Sequence, residues 1–234
     1  MGKLGFSRKN IKWILKMLPF YGRKLSRKNK NFCPRTLKAN EFFFDESNSR
    51  LSKEFNNSKS VFNLEIGFGK GDNLIYQSQI KKNEIFFAID PYLSGGLNLL
   101  KSIKINKISN VFFSDLPFIK FVNLAKNISF KKVYILFPDP WPKKKHKKRR
   151  LINEKFVQSL NKITSSKSQI IIATDDSDYS NQISRTFSNM KNFKLFLKRN
   201  DNLSFQDNDI YPTKYFTKAR NQNRKINFFI FTKL

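Results

Sequence analysis

Five short apolar segments follow one another from residue 60 onward, and each ends in an acidic residue or a glycine. Their apolar residues are continuous rather than alternating with polar ones, which is typical of strands buried on both faces of a parallel sheet. The segments are VFNLEIGFG (61–69), EIFFAID (84–90), NVFFSD (110–115), KKVYILFPD (131–139) and SQIIIATDD (168–176).

Between these segments, apolar residues recur at helical spacing, so that each set falls on one face of a helix. Because strands and helices alternate, the pattern predicts a doubly wound α/β sheet. Two sets are regular and a third is looser: Ile152, Phe156, Leu160 and Ile163; Tyr179, Ile183, Phe187 and Met190; and Leu97, Leu100, Ile103 and Ile108.

The C-terminal part of the chain has a different pattern. FKLFLKR (193–199) and KINFFIFTKL (225–234) have the composition of strands, and the segment between them is too polar for a crossover helix. We therefore predict an antiparallel pair at the edge of the sheet, joined by a long functional loop.

Composition narrows the functional classes. The 234 residues include 26 Phe, enough for a core, and carry a formal net charge of +29. Such an excess indicates a polyanionic partner, nucleic acid first, although a chain rich in Lys, Asn, Ile and Phe also fits an AT-rich genome. The clustering of the charges favours nucleic acid. A single Cys and a single His argue against a disulfide framework, a thiolate zinc site, a histidine metal site and a Ser-His-Asp triad.

The charge distribution predicts two regions, a basic N-terminal arm (1–59) and a folded domain (60–234). Residues 1–38 contain twelve basic residues and no acid, which fits either a transit peptide or an RNA-binding arm. The basic excess continues along the chain, so we favour the arm and expect a cytoplasmic protein. No apolar run approaches the ~20 residues of a membrane span, and no membrane association is expected.

A glycine-rich turn follows the first predicted strand. Gly67, Gly69 and Gly71 have the spacing G-x-G-x-G, which matches neither the dinucleotide motif nor a phosphate-binding P-loop. Glu65 lies just before them, and a buried carboxylate there suits a cationic group such as an ammonium better than a phosphate. The alternative is a turn with a purely structural role.

Acidic residues also end the second and third strands. Asp90 is placed to accept hydrogen bonds from ribose hydroxyls, and Asp115 from an exocyclic amine such as that of adenine. Each acid alone could equally cap a helix. Together with Glu65 and the glycine turn, they predict a pocket for an adenosyl ligand carrying an amino acid, which describes S-adenosyl-L-methionine.

The most specific segment follows the fourth strand. FPDPWPKKKHKKRR (137–150), together with LEIGFGKG (64–71), TDD (174–176) and TKYFTKA (213–219), resembles the tRNA (guanine-N7-)-methyltransferases of the bacterial single-chain type. The resemblance implies a Rossmann-like class I fold with a seven-stranded, mostly parallel sheet and an antiparallel C-terminal strand. It also implies methyl transfer from S-adenosyl-L-methionine to N7 of a guanine in the variable loop of tRNA, leaving S-adenosyl-L-homocysteine. It implies neither a metal nor an obligatory protein partner.

The resemblance also assigns roles to individual residues. Asp139 matches the catalytic position and also a cofactor-pocket acid, and Phe216 stands where the family usually has Glu. Asp90 stands where Glu is also common. The implied cofactor-binding residues are Glu65, Gly67, Gly69, Asp90, Asp115 and Asp139, and the implied substrate-binding residues are Lys143, Asp175, Thr213, Lys214, Tyr215 and Phe216.

The basic run beside Asp139 predicts contacts with tRNA phosphates, because seven positive charges near a predicted helix start would otherwise be unfavourable. A solvated basic face is the simpler alternative. Trp141 is expected to stack on a base or to pack in the core. The predicted RNA contacts are Lys144, Lys145, His146, Lys147, Lys148, Arg149 and Arg150.

Two other functions remain open from the sequence. The order of acid, proline and aromatic residue in DPWP also resembles enzymes that methylate exocyclic amines of nucleic-acid bases. A non-catalytic RNA-binding protein would explain the charge, but it would not explain the row of acids at the strand ends.

Overall fold

A single seven-stranded sheet organises the chain. The computed structural model describes residues 37–45, 60–125, 127–199 and 210–234. In space the strands follow the order β3-β2-β1-β4-β5-β7-β6. They are β1 (Val61–Ile66), β2 (Glu84–Ile89), β3 (Val111–Ser114), β4 (Phe130–Leu136), β5 (Thr164–Thr174), β6 (Phe193–Arg199) and β7 (Asn227–Lys233).

The strand directions are those predicted from the sequence. Strands β1 to β5 pair in parallel, whereas β7 pairs antiparallel with both β5 and β6. The predicted seven-stranded, mostly parallel sheet with its antiparallel C-terminal strand is therefore confirmed. Because all five parallel strands point the same way, their carboxyl ends share one edge of the sheet, and the acids that follow them lie along that edge.

Each connection between consecutive parallel strands contains an α-helix. Asn153 and Asp176 begin two of these helices by accepting a hydrogen bond from the backbone N–H three residues later. The helices are α1 (Asp72–Ile80), α2 (Leu93–Ile105), α3 (Phe118–Leu124), α4 (Glu154–Lys162), α5 (Ser177–Ser188) and α6 (Lys214–Asn221), and a short 3₁₀-helix spans Lys144–Arg149. None of the helices in these described segments is both long and apolar enough to cross a membrane.

The helical patterns are confirmed for α4 and α5, whose predicted apolar faces are buried apart from the partly buried Met190. For α2 the predicted face is partly wrong. Leu97 and Leu100 are only partly buried, whereas Leu99 is fully buried. The buried face of α2 includes Gly95 and Gly96, and glycines without side chains hide the apolar periodicity of that face.

A short segment before residue 60 also belongs to the folded structure. Phe43 bridges to Phe113 of β3 in parallel fashion, and Leu37, Phe43 and Phe44 are each 1% exposed. Most of the predicted basic arm (1–59) lies outside the described residues. Within it, residues 37–45 pack against the sheet and contribute to the core, and with one Lys against two acids they add nothing to the positive charge.

Candidate active site

A cavity of about 500 Å³ opens at the carboxyl ends of β1, β2 and β4. Several of its lining residues are those predicted to bind cofactor or substrate: Glu65, Gly67, Gly69, Asp90, Asp139, Thr213, Lys214 and Tyr215. Residues separated by up to 150 positions in the sequence thus meet at one place. A cavity therefore exists at the predicted strand ends, with Glu65, Asp90 and Asp139 on its walls.

The glycine turn after β1 forms one wall of this cavity. Gly67, Gly69 and Gly71 all have positive φ angles, of 79°, 57° and 85°, which side chains strongly disfavour. The Gly69 N–H donates to Asp90 Oδ2 at 2.8 Å, and the Gly67 N–H donates to the Ile89 carbonyl at 2.8 Å. The end of β2 therefore holds the turn in place.

Helix α2 packs its first turn directly against this glycine turn. A Cβ atom built at Gly95 would lie 1.9 Å from the carbonyl oxygen of Gly69. Only glycine allows the two backbones to come this close. Sequence reasoning did not identify Gly95, although two consecutive glycines soon after a strand-end acid are the signal that marks such a contact.

Glu65 lines the cavity and is 3% exposed. Its Oε2 accepts a hydrogen bond from Asn73 Nδ2 at 2.9 Å, and Asn73 Oδ1 accepts one from the Tyr211 backbone N–H at 3.0 Å. Burial raises the pKa of Glu65 from 4.5 to about 8, with a smaller opposing effect of Asn73. A cationic group beside Glu65 would favour the ionised carboxylate. Asn73, which sequence reasoning missed, links this acid to the C-terminal segment.

Asp90 is held by backbone groups on both sides. Its Oδ2 accepts from Gly69 as described, and its Oδ1 accepts from the Tyr92 N–H at 2.9 Å. Burial raises the pKa of Asp90, the two backbone hydrogen bonds lower it, and the nearby negative charge of Asp139 adds to the increase. The carboxylate of Asp90 therefore has a fixed orientation and lies within electrostatic reach of Asp139.

Asp139 stands at the mouth of the cavity on a strained turn. The residues Phe137 and Trp141 have positive φ angles of 52° and 44°, which are rare for large side chains and concentrate at functional sites. Pro138 and Pro140 restrict the backbone between them. The Asp139 side chain is exposed to solvent, yet the surrounding walls desolvate it enough to raise its pKa. The turn thus presents a carboxylate in a defined position.

Trp141 faces the basic segment rather than the core. Its ring meets the His146 ring edge-on, with centroids 5.8 Å apart, and the Arg149 guanidinium lies 5.0 Å from its centroid. The side chains of Lys143, Lys144, Lys145 and Lys148 are exposed, and Lys147 pairs with Asp178 at 2.8 Å. A set of available cations therefore lies directly beside Asp139, as the sequence predicts.

The position of Arg150 differs from the one that the sequence predicts. Arg150 was expected to contact RNA, but it is 2% exposed and its guanidinium donates to three groups of its own chain. These groups are the Pro140 carbonyl (2.7 Å), Gln182 Oε1 (2.8 Å) and Asp178 Oδ2 (2.6 Å). The prediction is wrong for this residue because α5 supplies acceptors that the run of cations alone does not reveal.

Three further predicted residues lie outside the cavity wall. Asp115 faces Lys38 at 3.9 Å, and the following residues, Leu116 to Phe118, line the cavity instead. Asp175 forms an ion pair with Arg224, and Lys143 is exposed beside the 3₁₀-helix. Asp115 is not among the residues that line the cavity, and its contact with adenine stays a prediction.

Helix α6 brings the C-terminal motif to the cavity. Thr213 begins the helix by accepting from the Phe216 N–H at 3.4 Å, and Lys214 and Tyr215 line the wall. Desolvation raises the pKa of Tyr215, and the negative charges of Asp139 and Asp90 raise it further. Phe216 points the other way. It is 2% exposed and packs against Phe137 and Phe228, so the structure gives it a core position instead of the predicted substrate contact.

The fold is shared with solved methyltransferases. The crystal structure of the 16S rRNA methyltransferase KamB superposes with a TM-score of 0.57 at 10% identity, covering 81% of this chain and 95% of that one. At this level of identity the likeness shows the fold alone. It is the Rossmann-like class I methyltransferase fold that the sequence predicts.

Sequence comparisons identify the family. A family model described as "Putative methyltransferase" matches residues 59–229. The tRNA (guanine-N(7)-)-methyltransferase of Wolbachia pipientis wMel is 34% identical over 81% of this chain and 82% of its own length. The enzyme of the same name from Neorickettsia sennetsu is 34% identical over 75% of this chain and 79% of its own. The chain therefore belongs to the tRNA (guanine-N(7)-)-methyltransferase family.

Proposed function

We propose that this protein transfers the methyl group of S-adenosyl-L-methionine to N7 of a guanine in the variable loop of tRNA. The observation that carries the proposal is the position of Asp139. It stands between a cavity with a buried acid, Glu65, and a surface of exposed cations at the 3₁₀-helix (Lys144–Arg149). The cavity suits a small cationic ligand, and the surface of cations suits an RNA backbone. We expect the reaction in the cytoplasm.

The cavity fits the cofactor. Apart from the adjoining residues of the chain, no described residue has an atom within 4 Å of the position that a Cβ would take at Gly67 or Gly69, so both backbones border open space. Glu65 would accept from the ammonium of the methionine moiety, and Asp90 from the ribose hydroxyls, using lone pairs that its backbone partners leave available. When bound, S-adenosyl-L-methionine supplies a methyl group activated by its positively charged sulfur.

The protein has little proton chemistry to perform. Guanine N7 carries an exposed lone pair, so no proton is removed before attack, and the protein contributes mainly by aligning the reacting atoms. Asp139 serves in one of two ways. Its carboxylate stabilises the positive charge that develops on the guanine ring, or it orients the base by accepting from N1–H and N2–H₂. Either role uses the rigid turn on which it stands.

Binding of tRNA falls to the exposed cations. Each phosphate contact that Lys144, Lys145 or Lys148 makes adds to the salt dependence of tRNA affinity. The T-shaped contact of Trp141 with His146 and its contact with Arg149 hold the indole at the boundary between the cations and the cavity. Trp141 and Asp139 both line the cavity, so the indole is available to stack on a base that Asp139 contacts.

The test is transfer of labelled methyl from S-adenosyl-L-methionine to a tRNA transcript with a guanine in its variable loop. The control transcript carries adenine at that position. We expect label only in 7-methylguanosine and only with the guanine transcript. Label in an exocyclic N-methyl nucleoside would refute the N7 assignment, and failure to bind S-adenosyl-L-methionine in calorimetry would refute enzymatic function altogether.

A further inference from the structure

Arg150 ends the basic run, but its surroundings differ from those of its neighbours. Lys143, Lys144, Lys145 and Lys148 are exposed, whereas Arg150 is buried with its guanidinium 4.8 Å from the centre of the Tyr179 ring. Among the described residues its side chain contacts the Pro140 carbonyl, Gln182 and the carboxylates of Asp176 and Asp178. A buried charge with several internal acceptors serves the fold of its own chain, since no phosphate can reach it.

One of these contacts reaches the turn that carries Asp139. Arg150 Nε donates to the carbonyl of Pro140 at 2.7 Å, and Pro140 directly follows Asp139. Proline contributes no N–H to fix this part of the turn, and the turn is bordered by the positive-φ residues Phe137 and Trp141. A charge-assisted hydrogen bond to the Pro140 carbonyl therefore restrains a backbone that would otherwise relax from a sparsely populated conformation.

The other contacts fasten Arg150 to helix α5. Its Nη2 donates to Asp178 Oδ2 at 2.6 Å, and its Nη1 donates to Gln182 Oε1 at 2.8 Å. Gln182 in turn donates to the Ile152 carbonyl at 2.9 Å, and the Tyr179 hydroxyl accepts from the Ile152 N–H at 2.9 Å. Arg150 and the chain that follows it are thereby held on α5, which packs against the sheet.

We infer that Arg150 is a positioning residue for Asp139, acting through the Pro140 carbonyl and anchored by Asp178 and Gln182, and that it does not bind tRNA. The inference rests on the proposed function for its kinetic consequence, but its structural consequence does not depend on any reaction. The planar fork of arginine is required, because the ammonium of a lysine cannot reach three acceptors arranged around one plane.

The kinetic test compares Arg150→Lys with Lys145→Ala, which removes an exposed cation of the same run. We expect Arg150→Lys to lower kcat for tRNA methylation by at least about tenfold, because a turn displaced by about an ångström misaligns the reacting groups. Its tRNA Kd and the salt dependence of that Kd should stay as in the wild type. Lys145→Ala should instead weaken tRNA binding and reduce the salt slope by about one.

A second measurement, the fluorescence of Trp141, reports on the turn that carries Asp139. The chain has two tryptophans, Trp13 and Trp141, so in a Trp13→Phe background the fluorescence reports on Trp141 alone. Arg150→Lys should make Trp141 more accessible to acrylamide quenching, and Lys145→Ala should not. If the proposed function fails, wild-type protein shows no methyl transfer while this difference in quenching persists.

A third variant guards against a misfolded Arg150→Lys protein. Asp178→Asn changes a half-exposed anchor and should lower kcat and increase quenching in the same direction, with circular dichroism like that of the wild type. The inference is overturned if Arg150→Lys weakens tRNA binding and flattens the salt slope at unchanged kcat. It is also overturned if neither variant alters kcat or the quenching of Trp141.

Discussion

The contact between Gly95 and Gly69 allows a sharp prediction about Gly95→Ala. In a helix, alanine is favoured over glycine by ~1 kcal/mol, so the substitution would stabilise α2 if space allowed. Instead the new Cβ would lie 1.9 Å from a carbonyl oxygen, although such contacts are essentially never under 3.0 Å. The helix and the glycine turn must therefore separate by about 1 Å, and overpacking of this kind costs ~1–3 kcal/mol.

The movement should reach the cofactor site. Displacing Gly69 misaligns its hydrogen bond to the Asp90 carboxylate, and a hydrogen bond to a charged group is worth ~1.5–3 kcal/mol. Because 1.4 kcal/mol corresponds to tenfold in affinity, we expect the Kd for S-adenosyl-L-homocysteine to rise about tenfold or more. Isothermal titration calorimetry measures the Kd, and a thermal melt measures the stability.

The neighbouring glycine provides the matched control. In Gly96→Ala the new Cβ would lie 3.2 Å from side-chain atoms of Leu37 and Phe113, which can adjust by a few tenths of an ångström. This variant should keep the ligand affinity and lose little stability, since the helical preference for alanine offsets the tight packing. The reasoning is refuted if Gly95→Ala binds the ligand like the wild type, or if Gly96→Ala loses as much affinity.

Three further predictions concern single side chains. Burial raises the pKa of Glu65 to about 8, so the ligand-free folded protein retains a proton that the unfolded chain releases above pH 4.5. The free energy of unfolding that this group contributes therefore falls as pH rises from 4.5 to 8. Glu65→Gln should remove that contribution, and urea unfolding across the interval should show a flatter pH dependence than the wild type. Asp139→Asn should lower kcat by about a hundredfold while the Kd values for tRNA and cofactor change little, and full turnover would contradict its catalytic role. Phe216→Glu, which installs the residue usual in the family, should lower the melting temperature markedly because an unpaired carboxylate would enter an apolar cluster, whereas Phe216→Leu should be tolerated far better. A stable Phe216→Glu protein would show that α6 can turn this position outward.

The elements that the sequence predicts well are those with a local signal. Continuous apolar runs identified β1 to β5, because strands buried on both faces need them, and the polar segment between the last two strands indicated their antiparallel pairing. The acids at the strand ends were likewise predictable, since parallel strands bring their carboxyl ends to one edge. Of these, Glu65, Asp90 and Asp139 line the cavity.

The features that escaped prediction depend on partners far away in the chain. Arg150 looks like any other cation of its run, and only its contact with Asp178, 28 residues later, buries it. Asn73 gains its role from Glu65 on one side and Tyr211 on the other, 138 residues away. The sequence does not distinguish a core position from a site position for Phe216, because its partners Phe137 and Phe228 come from the end of β4 and from β7.

The position of β7 has a consequence for the order of folding. β7 follows β6 in the sequence but lies between β5 and β6 in the sheet, so among the described strands β6 has no neighbour until β7 is in place. During synthesis, the five parallel strands can pair before β7 is made, while both edges of β6 remain unpaired. At that stage Phe187 also lacks its stacking partner Phe231, whose ring lies 3.9 Å away in the folded protein. Such an intermediate exposes apolar surface and an unpaired strand edge. Ribosome-bound chains lacking residues 227–233 should therefore depend on chaperones more than the released protein does.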